Sequence, residues 1–236
     1  DNSPHIIKSE KTAMEDNLFK KISGLVSSQT VIAHIRTATL GSLNILNTHP
    51  FQYGSWVFAH NGNIKNFQQH RKKLINLISS QISNYIFGDT DSEVIFFILL
   101  TELLKIKSLS EDFSMAEIQS ANSMAITKIN QIVGPCLNQE DGPPEETYLT
   151  YILTNGKTLL AHQGGKKLYY STYKNRCRER DTCAFYAKEC ESPVQKGHIN
   201  HLIFSSEQIA GDNIWLPLKF GETMGVDANM NLHRTL

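Results

Sequence analysis

The part of the sequence that most limits the fold is a long apolar segment, FGDTDSEVIFFILLTELLKI, at residues 87–106. Thr90 is followed three residues later by Glu93, a capping-box pattern that predicts a helix beginning at Asp91. Residues 94–104 are apolar nearly all round a helical wheel, which is typical of a helix that is covered on every side. We therefore expect this helix to lie deep in a hydrophobic core.

Other segments also have helical patterns. Apolar residues recur at helical spacing in residues 12–25 and again in residues 67–82, which predicts two amphipathic helices. Ser114 begins a second S-x-x-E capping signature, and Gly134-Pro135 predicts that this helix ends near Val133. Most of the predicted helices therefore lie in the middle of the chain.

Strand patterns lie on both sides of this helical block. The short apolar runs VIAHI (31–35) and SWVFAH (55–60) predict two buried strands. Asn155-Gly156 lies between TYLTYILT and KTLLAH, a strong signal for a hairpin with a two-residue turn. Further strands are expected at residues 166–173, 200–206 and 222–227. Strands, helices and then strands again indicate an α+β fold, with a largely antiparallel sheet covered by helices, in a single domain spanning residues 1–236.

The composition argues against several classes of partner. The chain has 236 residues and balanced charge, with Lys+Arg 23 and Asp+Glu 23, so nucleic acid is not an expected partner. The longest uninterrupted apolar run, residues 94–100, is far too short to span a bilayer, and the polar start DNSPHIIKSEK does not resemble a signal peptide. Four cysteines in a chain of this size do not suggest a disulfide framework. We therefore expect a cytoplasmic globular protein that binds neither nucleic acid nor a membrane.

Polar residues follow the first two predicted strands. Arg36 and Thr39 come after the run at 31–35, and Asn61-Gly62 comes after the run at 55–60. Strands that end in this way would bring an arginine, a threonine, an asparagine and a glycine to one edge of a sheet, where small polar molecules are commonly bound. Taken alone, Asn61-Gly62 is more typical of an ordinary hairpin turn, and the neighbouring motifs argue against that interpretation.

Four short motifs occur in a defined order: HIRTAT (34–39), THPF (48–51), HNGNI (60–64) and TDSE (90–93). In this order and spacing they resemble the glutaminase domain of the class II glutamine amidotransferases. The sequence is more similar to the stand-alone branch that includes the ergothioneine-pathway amidohydrolase, which the later SSE (205–207) and WLP (215–217) also fit. The resemblance implies an N-terminal-nucleophile fold, a four-layer sandwich of two antiparallel sheets between helical layers.

The resemblance also implies an activity without a cofactor: hydrolysis of the side-chain amide of glutamine, or of a γ-glutamyl conjugate, to glutamate and ammonia or an amine. It implies that the side-chain amide of Asn61 and the backbone N–H of Gly62 bind the oxyanion that forms when the substrate amide is attacked. Hydrogen-bond donors in this position contribute strongly to amide hydrolysis. Glycine there would allow close approach to a ligand and unusual backbone angles. Arg36 matches the arginine that binds the substrate carboxylate, Asp91 the aspartate that binds its ammonium, and Thr39 a threonine that lines the pocket.

The sequence departs from the family pattern at two places. Thr37 and Leu40 stand where the sugar-aminating relatives have tryptophan and histidine. The family nucleophile is a cysteine at the mature N-terminus, whose α-amino group can serve as the general base. Here residue 1 is Asp1, and no cysteine precedes Cys136. We therefore expect that the chain as given lacks its N-terminal strand and nucleophile, and is inactive in this form.

Two alternatives remain open beside a simple hydrolase. The missing nucleophile is also consistent with a catalytically inactive relative that acts as a binding or regulatory module. An active enzyme would either release ammonia or pass it to a synthase on a partner chain. Neither the leaving group nor this choice follows from the motifs.

Histidines and cysteines raise the question of a metal site. The candidate ligands are His34, His49, His60, Cys177, Cys183, Cys190, His198 and His201. The first three histidines flank predicted strands, where structural roles are more common than metal binding. The cysteine spacing C-x5-C-x6-C lacks the short C-x2-C or C-x4-C pair of common zinc sites. We therefore expect no metal, and we interpret this segment as an excursion between two strands, in which a disulfide would be unusual for the cytoplasm.

Overall fold

The computed structural model describes residues 3–35 and 44–236. The helices in these residues are α1 (Asn17–Ser23), α2 (Phe67–Ile75), α3 (Asp91–Leu104) and α4 (Met115–Val133). The strands are β1 (Phe51–Tyr53), β2 (Trp56–Asn63), β3 (Tyr148–Thr154), β4 (Leu159–His162), β5 (Tyr169–Ser171), β6 (Gly197–His198), β7 (Ile203–Ser205), β8 (Leu216–Pro217), β9 (Thr223–Val226) and β10 (Asn231–Thr235). Within this part of the chain, no helix combines the length and the hydropathy that crossing a membrane requires.

The strands form two sheets in which every pairing is antiparallel. The larger sheet has the order β1-β2-β3-β4-β9-β10-β6, and the smaller has the order β7-β5-β8. The predicted late strands correspond to β5, β7 and β9, whereas the sequence patterns did not predict β6, β8 or β10. Two antiparallel sheets with helices confirm the α+β class and are consistent with the expected N-terminal-nucleophile sandwich.

The two faces of the larger sheet contribute to two separate hydrophobic cores. Leu149, Tyr151 and Leu153 on β3 belong to the core that the helices cover. Ala161 on β4 and Met224 on β9 belong to the core shared with the smaller sheet. Because side chains alternate between the faces of a strand, the larger sheet has helices on one face and the smaller sheet on the other. In the described residues, β1 and β2 contribute nothing to this second core, so the smaller sheet does not extend to their side.

The central helix α3 forms as the apolar segment predicts. It begins at Asp91, its residues 91–103 are all buried, and the Thr90 side chain accepts the Glu93 N–H at 3.3 Å. Only half of the predicted capping box is present, because the Glu93 carboxylate accepts the N–H groups of Phe87 and Gly88, at 3.0 and 2.7 Å, instead of the Thr90 N–H. Glu93 therefore secures the turn that leads into the helix.

Helix α4 also follows its local signals. Ser114 and Glu117 form a complete capping box, and the helix ends at Val133. Gly134 then adopts a φ of +86°, a conformation that is costly for residues with a side chain. A cap, a helical stripe and a glycine stop are all local features, and together they specified both ends of this helix.

The N-terminal predictions were less accurate. Helix α1 is only seven residues long, has none of its residues buried, and begins after the N-cap Asp16 rather than near Thr12. Residues 31–35 are not a strand, although their apolar run predicted one. Met14 and Leu25, two residues of the predicted helical stripe, are 79% and 82% exposed. An amphipathic pattern needs an apolar surface to pack against, and the described residues offer none to this stripe.

The β3–β4 hairpin is present, but its turn is longer than Asn155-Gly156 predicts. Thr154 pairs with Leu159, which leaves a four-residue loop between the strands. The Asn155 side chain accepts the N–H groups of Lys157 and Thr158 at 3.1 and 2.9 Å. These side-chain bonds stabilise the longer loop, because asparagine readily replaces a backbone acceptor in turns.

A buried histidine in β4 predicts a stability that depends on pH. Burial lowers the pKa of His162 from 6.5 to about 4, and its ring contacts the Thr223 hydroxyl at 3.1 Å. Between these pKa values the unfolded state binds more protons, so the stabilisation is complete above pH 6.5 and is lost as the pH falls towards 4. We expect the titration of His162 to lower the free energy of unfolding by up to roughly 3 kcal/mol over this pH range.

Urea unfolding at pH 7.5, 6, 5 and 4.5 measures this dependence. The variant His162→Gln lacks the titrating ring, so its unfolding free energy should fall less steeply over the same range. Equal slopes for the two proteins would contradict the assignment.

Candidate active site

The Asn61-Gly62 pair lies inside a strand. In the β2–β3 ladder Asn61 pairs with Thr150 and Gly62 with Leu149, and β2 continues to Asn63. The interpretation of Asn61-Gly62 as a hairpin turn is therefore wrong, and so is the expectation that the strand ends at His60. The strand continues because β3 provides a backbone partner for each of these residues.

Gly62 is required by close packing above the strand. A Cβ atom at this position would lie 2.2 Å from the Tyr148 carbonyl oxygen and 2.3 Å from the His60 Nε2 atom. The φ of Gly62 is not in the left-handed region, so the expected need for unusual backbone angles does not apply. The expected close approach is present, but the groups that approach Gly62 are the protein's own backbone and the His60 ring.

The backbone N–H of Gly62 points away from β3. Its partner Leu149 donates its own N–H to the Gly164 carbonyl, at 2.9 Å, on the opposite side of β3. Gly62 and Leu149 are therefore a non-hydrogen-bonded pair, whose N–H groups point outward. β1 pairs with β2 only as far as Phe58, so this N–H lies at an edge of β2 that no described strand covers.

The His60 ring connects three elements from a buried position. Its Nε2 atom lies 3.0 Å from the Tyr148 carbonyl oxygen on β3, and its Nδ1 atom lies 3.0 Å from the Ser92 hydroxyl on α3. Burial lowers the pKa of His60, and the Asp91 carboxylate partly opposes this effect. The imidazole is therefore neutral at pH 7 and holds the sheet against the start of α3.

Asp91 is buried at the first position of α3. One carboxylate oxygen, Oδ2, accepts the N–H of Ile64, the residue after β2, at 2.7 Å. The other, Oδ1, accepts the N–H of Ser92 at 2.8 Å. The carboxylate also lies at the positive end of the α3 dipole. Within residues 3–35 and 44–236 no lysine or arginine forms an ion pair with Asp91, so the described part of the protein leaves its charge without a cationic partner.

Asn61, Gly62 and Asp91 line one cavity of about 3030 Å³. The Asn61 side chain is exposed to it and has no hydrogen-bond partner among the described residues. The cavity is several times larger than a typical small-molecule site, which occupies roughly 300–1,000 Å³. Apolar side chains of the N-terminal segment, among them Phe19, Val26 and Val31, line another part of it. The predicted ligands Arg36 and Thr39, together with Thr37 and Leu40, lie outside the described residues.

Residues 6–176 match the family model of the class II glutamine amidotransferases. This match covers well over half of the chain. The chain belongs to the class II glutamine amidotransferases. The four motifs HIRTAT, THPF, HNGNI and TDSE all lie within the matched region, so the resemblance to the family is confirmed.

The curated relatives that this chain matches are longer proteins. Probable glutamine amidotransferase DUG3 of Saccharomyces cerevisiae is 31% identical over 164 residues, which are 68% of this chain and 46% of the yeast protein. Glutamine–fructose-6-phosphate aminotransferase of Chlamydia muridarum is 31% identical over 129 residues, which are 54% of this chain and 20% of that enzyme. The chain thus spans less than half the length of the curated relatives it matches.

A solved structure shares the fold of this chain. The glutamine aminotransferase class-II domain protein of Silicibacter pomeroyi superposes with a TM-score of 0.67 at 20% sequence identity, covering 100% of this chain and 86% of the other. At this identity the likeness concerns the fold, and it agrees with the two antiparallel sheets described above.

The histidines and cysteines considered as metal ligands do not form a cluster in the described residues. His34 donates from Nε2 to the His60 carbonyl at 3.1 Å, and its ring stacks on His49 with 4.0 Å between centroids. All four cysteines are free, so the cysteine-rich segment contains no disulfide. Cys190 instead accepts the Asn200 side-chain amide at 3.2 Å. In the part of the chain that the structure describes, no three histidine, cysteine, aspartate or glutamate side chains are grouped as metal ligands would be.

Two contributors to the site were missed in the sequence. Ser92 was visible inside the TDSE motif, but its contact with His60 depends on a strand 32 residues earlier in the chain. Tyr148 contributes through its carbonyl oxygen, a group that every residue possesses. No side-chain pattern could have identified it.

Proposed function

We propose that this chain forms the glutaminase site of an amidotransferase that hydrolyses the side-chain amide of glutamine, or of a γ-glutamyl conjugate, to glutamate and ammonia or an amine. One observation carries the proposal: Asn61, Gly62 and Asp91 line the same cavity. These groups supply a pair of hydrogen-bond donors and one anion, which match a developing oxyanion and an α-ammonium group.

The donors suit an oxyanion because no described residue forms a hydrogen bond with either of them. The Gly62 N–H lies at an uncovered strand edge, and the Asn61 amide has no partner in the described residues. Both lie on a strand held by β3, so they need little reorganisation when charge develops on the amide oxygen. Arg36 and Thr39 would bind the carboxylate end of the substrate, as the family resemblance implies.

The attacking thiol would come from a segment outside this sequence. None of the four cysteines lines the cavity, and burial raises the pKa of Cys136 to about 11, which disfavours its nucleophilic thiolate. Phe19, Val26 and Val31, which line the cavity, are 45%, 52% and 62% exposed. These side chains leave apolar surface for a further strand to cover, and the family resemblance implies that such a strand begins with a cysteine whose α-amino group is the base.

Activity of the natural full-length protein tests the proposal. The gene is expressed with any codons upstream of Asp1, an amino-terminal cysteine is verified by mass, and glutamate release is measured with glutamine and several γ-glutamyl amides. We expect turnover that is blocked by a thiol-directed glutamine analogue. A verified amino-terminal cysteine without turnover on any of these amides would refute the proposal.

The second candidate is a catalytically inactive relative that binds glutamine as a regulatory module. The absence of a cysteine from the cavity lining favours it. The codons upstream of Asp1 discriminate between the two, because a start of methionine and cysteine supports the enzyme and any other residue after the start supports the binding module.

For an active enzyme in the cytoplasm, release of free ammonia without an added partner would distinguish simple hydrolysis from transfer to a synthase on another chain.

A further inference from the structure

The two halves of the proposed site are linked by one buried side chain. Asn61 and Gly62 lie on β2, whereas Asp91 lies on α3, and the His60 ring contacts both β3 and the Ser92 hydroxyl of α3. Ser92 in turn follows Asp91 directly, and its Oγ lies 3.4 Å from Asp91 Oδ1. These contacts therefore connect β2, which carries Asn61 and Gly62, to the Asp91 carboxylate.

The partners of His60 determine where its proton lies. The Tyr148 carbonyl can only accept, so the Nε2 atom must carry the hydrogen of the neutral ring. Nδ1 then has a lone pair and accepts the Ser92 hydroxyl hydrogen at 3.0 Å. A serine hydroxyl has one hydrogen, so Ser92 cannot also donate it to Asp91.

We propose that His60 and Ser92 are positioning residues that keep Asp91 Oδ1 available for the ammonium group of the substrate. The inference rests on the proposed function of Asp91. A carboxylate oxygen accepts two hydrogen bonds readily, and Oδ1 already takes the Ser92 N–H at 2.8 Å. If the Ser92 hydroxyl turned to Oδ1 as well, it would compete with the substrate. By holding that hydroxyl, His60 leaves one acceptor position open.

The His60 ring also supports the strand β2. His60 and Gly62 lie two residues apart on one face of β2, and the ring fills the space above Gly62. A shift of the ring would therefore change the position of the Gly62 backbone as well as the hydrogen bonds of Asp91. This coupling makes the pair a shared support for both halves of the site.

The first test compares glutamine with glutaramate, which is glutamine without its α-ammonium group, in the full-length enzyme. The ratio of kcat/KM for the two compounds measures recognition of the ammonium group. His60→Phe removes the acceptor that holds the Ser92 hydroxyl, so it should lower this ratio about tenfold, the equivalent of one hydrogen bond. The double variant His60→Phe/Ser92→Ala also lacks the competing hydroxyl and should restore the ratio. Ser123→Ala, at an exposed position on α4, is the control for serine replacement in a helix and should leave the ratio unchanged.

A loss of stability alone would reduce turnover of both compounds equally and leave the ratio as it was. An unchanged ratio in His60→Phe, or no recovery in His60→Phe/Ser92→Ala, would overturn the inference while leaving the proposed function intact. If His60→Phe does not fold, His60→Leu is measured in its place, alone and with Ser92→Ala, and the same outcomes decide.

The second test needs no activity and therefore separates this inference from the proposed function. Long-range ¹H–¹⁵N spectra at pH 7.5 report the tautomer of each imidazole, and His60→Gln identifies the His60 signals by their loss. We expect a neutral ring with its hydrogen on Nε2. A hydrogen on Nδ1, or a charged ring, would overturn the inference even in an enzyme that hydrolyses glutamine.

Discussion

Replacing Asn61 with alanine in the full-length enzyme should lower kcat for glutamine by about 10²–10³-fold with little change in KM. The side chain is exposed to the cavity and makes no hydrogen bond in the described part of the protein, so its loss removes a donor to the transition state and leaves the resting fold intact. Steady-state kinetics together with urea unfolding would separate the two effects, because we expect the unfolding free energy to change by less than about 0.5 kcal/mol.

Asn138→Ala is the matched control for this prediction. Asn138 is exposed in the loop after α4 and does not line the cavity, so its replacement should leave both kcat and KM unchanged. A tenfold or smaller fall in kcat for Asn61→Ala would show that the Asn61 amide does not stabilise the oxyanion.

Replacing Asp91 with asparagine should lower kcat/KM for glutamine by about 30-fold or more, since a buried charge partner of the ammonium group is removed. The same change should have little effect on glutaramate, which has no ammonium group. The protein should also become less stable by about 1–3 kcal/mol, because the amide nitrogen cannot accept one of the two N–H groups that the carboxylate now accepts.

Asp89→Asn provides the control for Asp91. Asp89 precedes the helix cap, is exposed and does not line the cavity, yet its replacement makes the same change in charge near the start of α3. We expect wild-type kinetics from it. A comparable loss on glutamine and glutaramate in Asp91→Asn would show that Asp91 supports the fold without recognising the ammonium group.

The elements that the sequence predicted well are those with local causes. Thr90 and Ser114 cap α3 and α4 through backbone groups three residues away, and Gly134 ends α4 with a positive φ. In these helices the capping groups and the residues they cap lie within one turn of each other. The burial of α3 on all sides was predictable from its composition, because a helix that is apolar all round is stable only when other parts of the protein cover it.

The predictions that failed depended on distant partners. Residues 12–25 have a helical stripe, but α1 is short and has none of its residues buried. Residues 231–235, NLHRT, have little strand character of their own and form β10 by pairing with β9. Asn61-Gly62 has the sequence of a hairpin turn and became part of a strand because β3 lies beside it. In each case, the presence or absence of a packing partner outweighed the local preference.

By itself, the sequence determined the family of this protein, the α+β class and the start of α3 at Asp91. Only the tertiary structure decided how the residues of the proposed site contact one another. The His60 ring reaches a carbonyl 88 residues later in the chain and a hydroxyl on α3, and it occupies the space that requires glycine at position 62. Motif spacing shows which groups are available, whereas hydrogen bonds between distant strands and helices decide where each donor points.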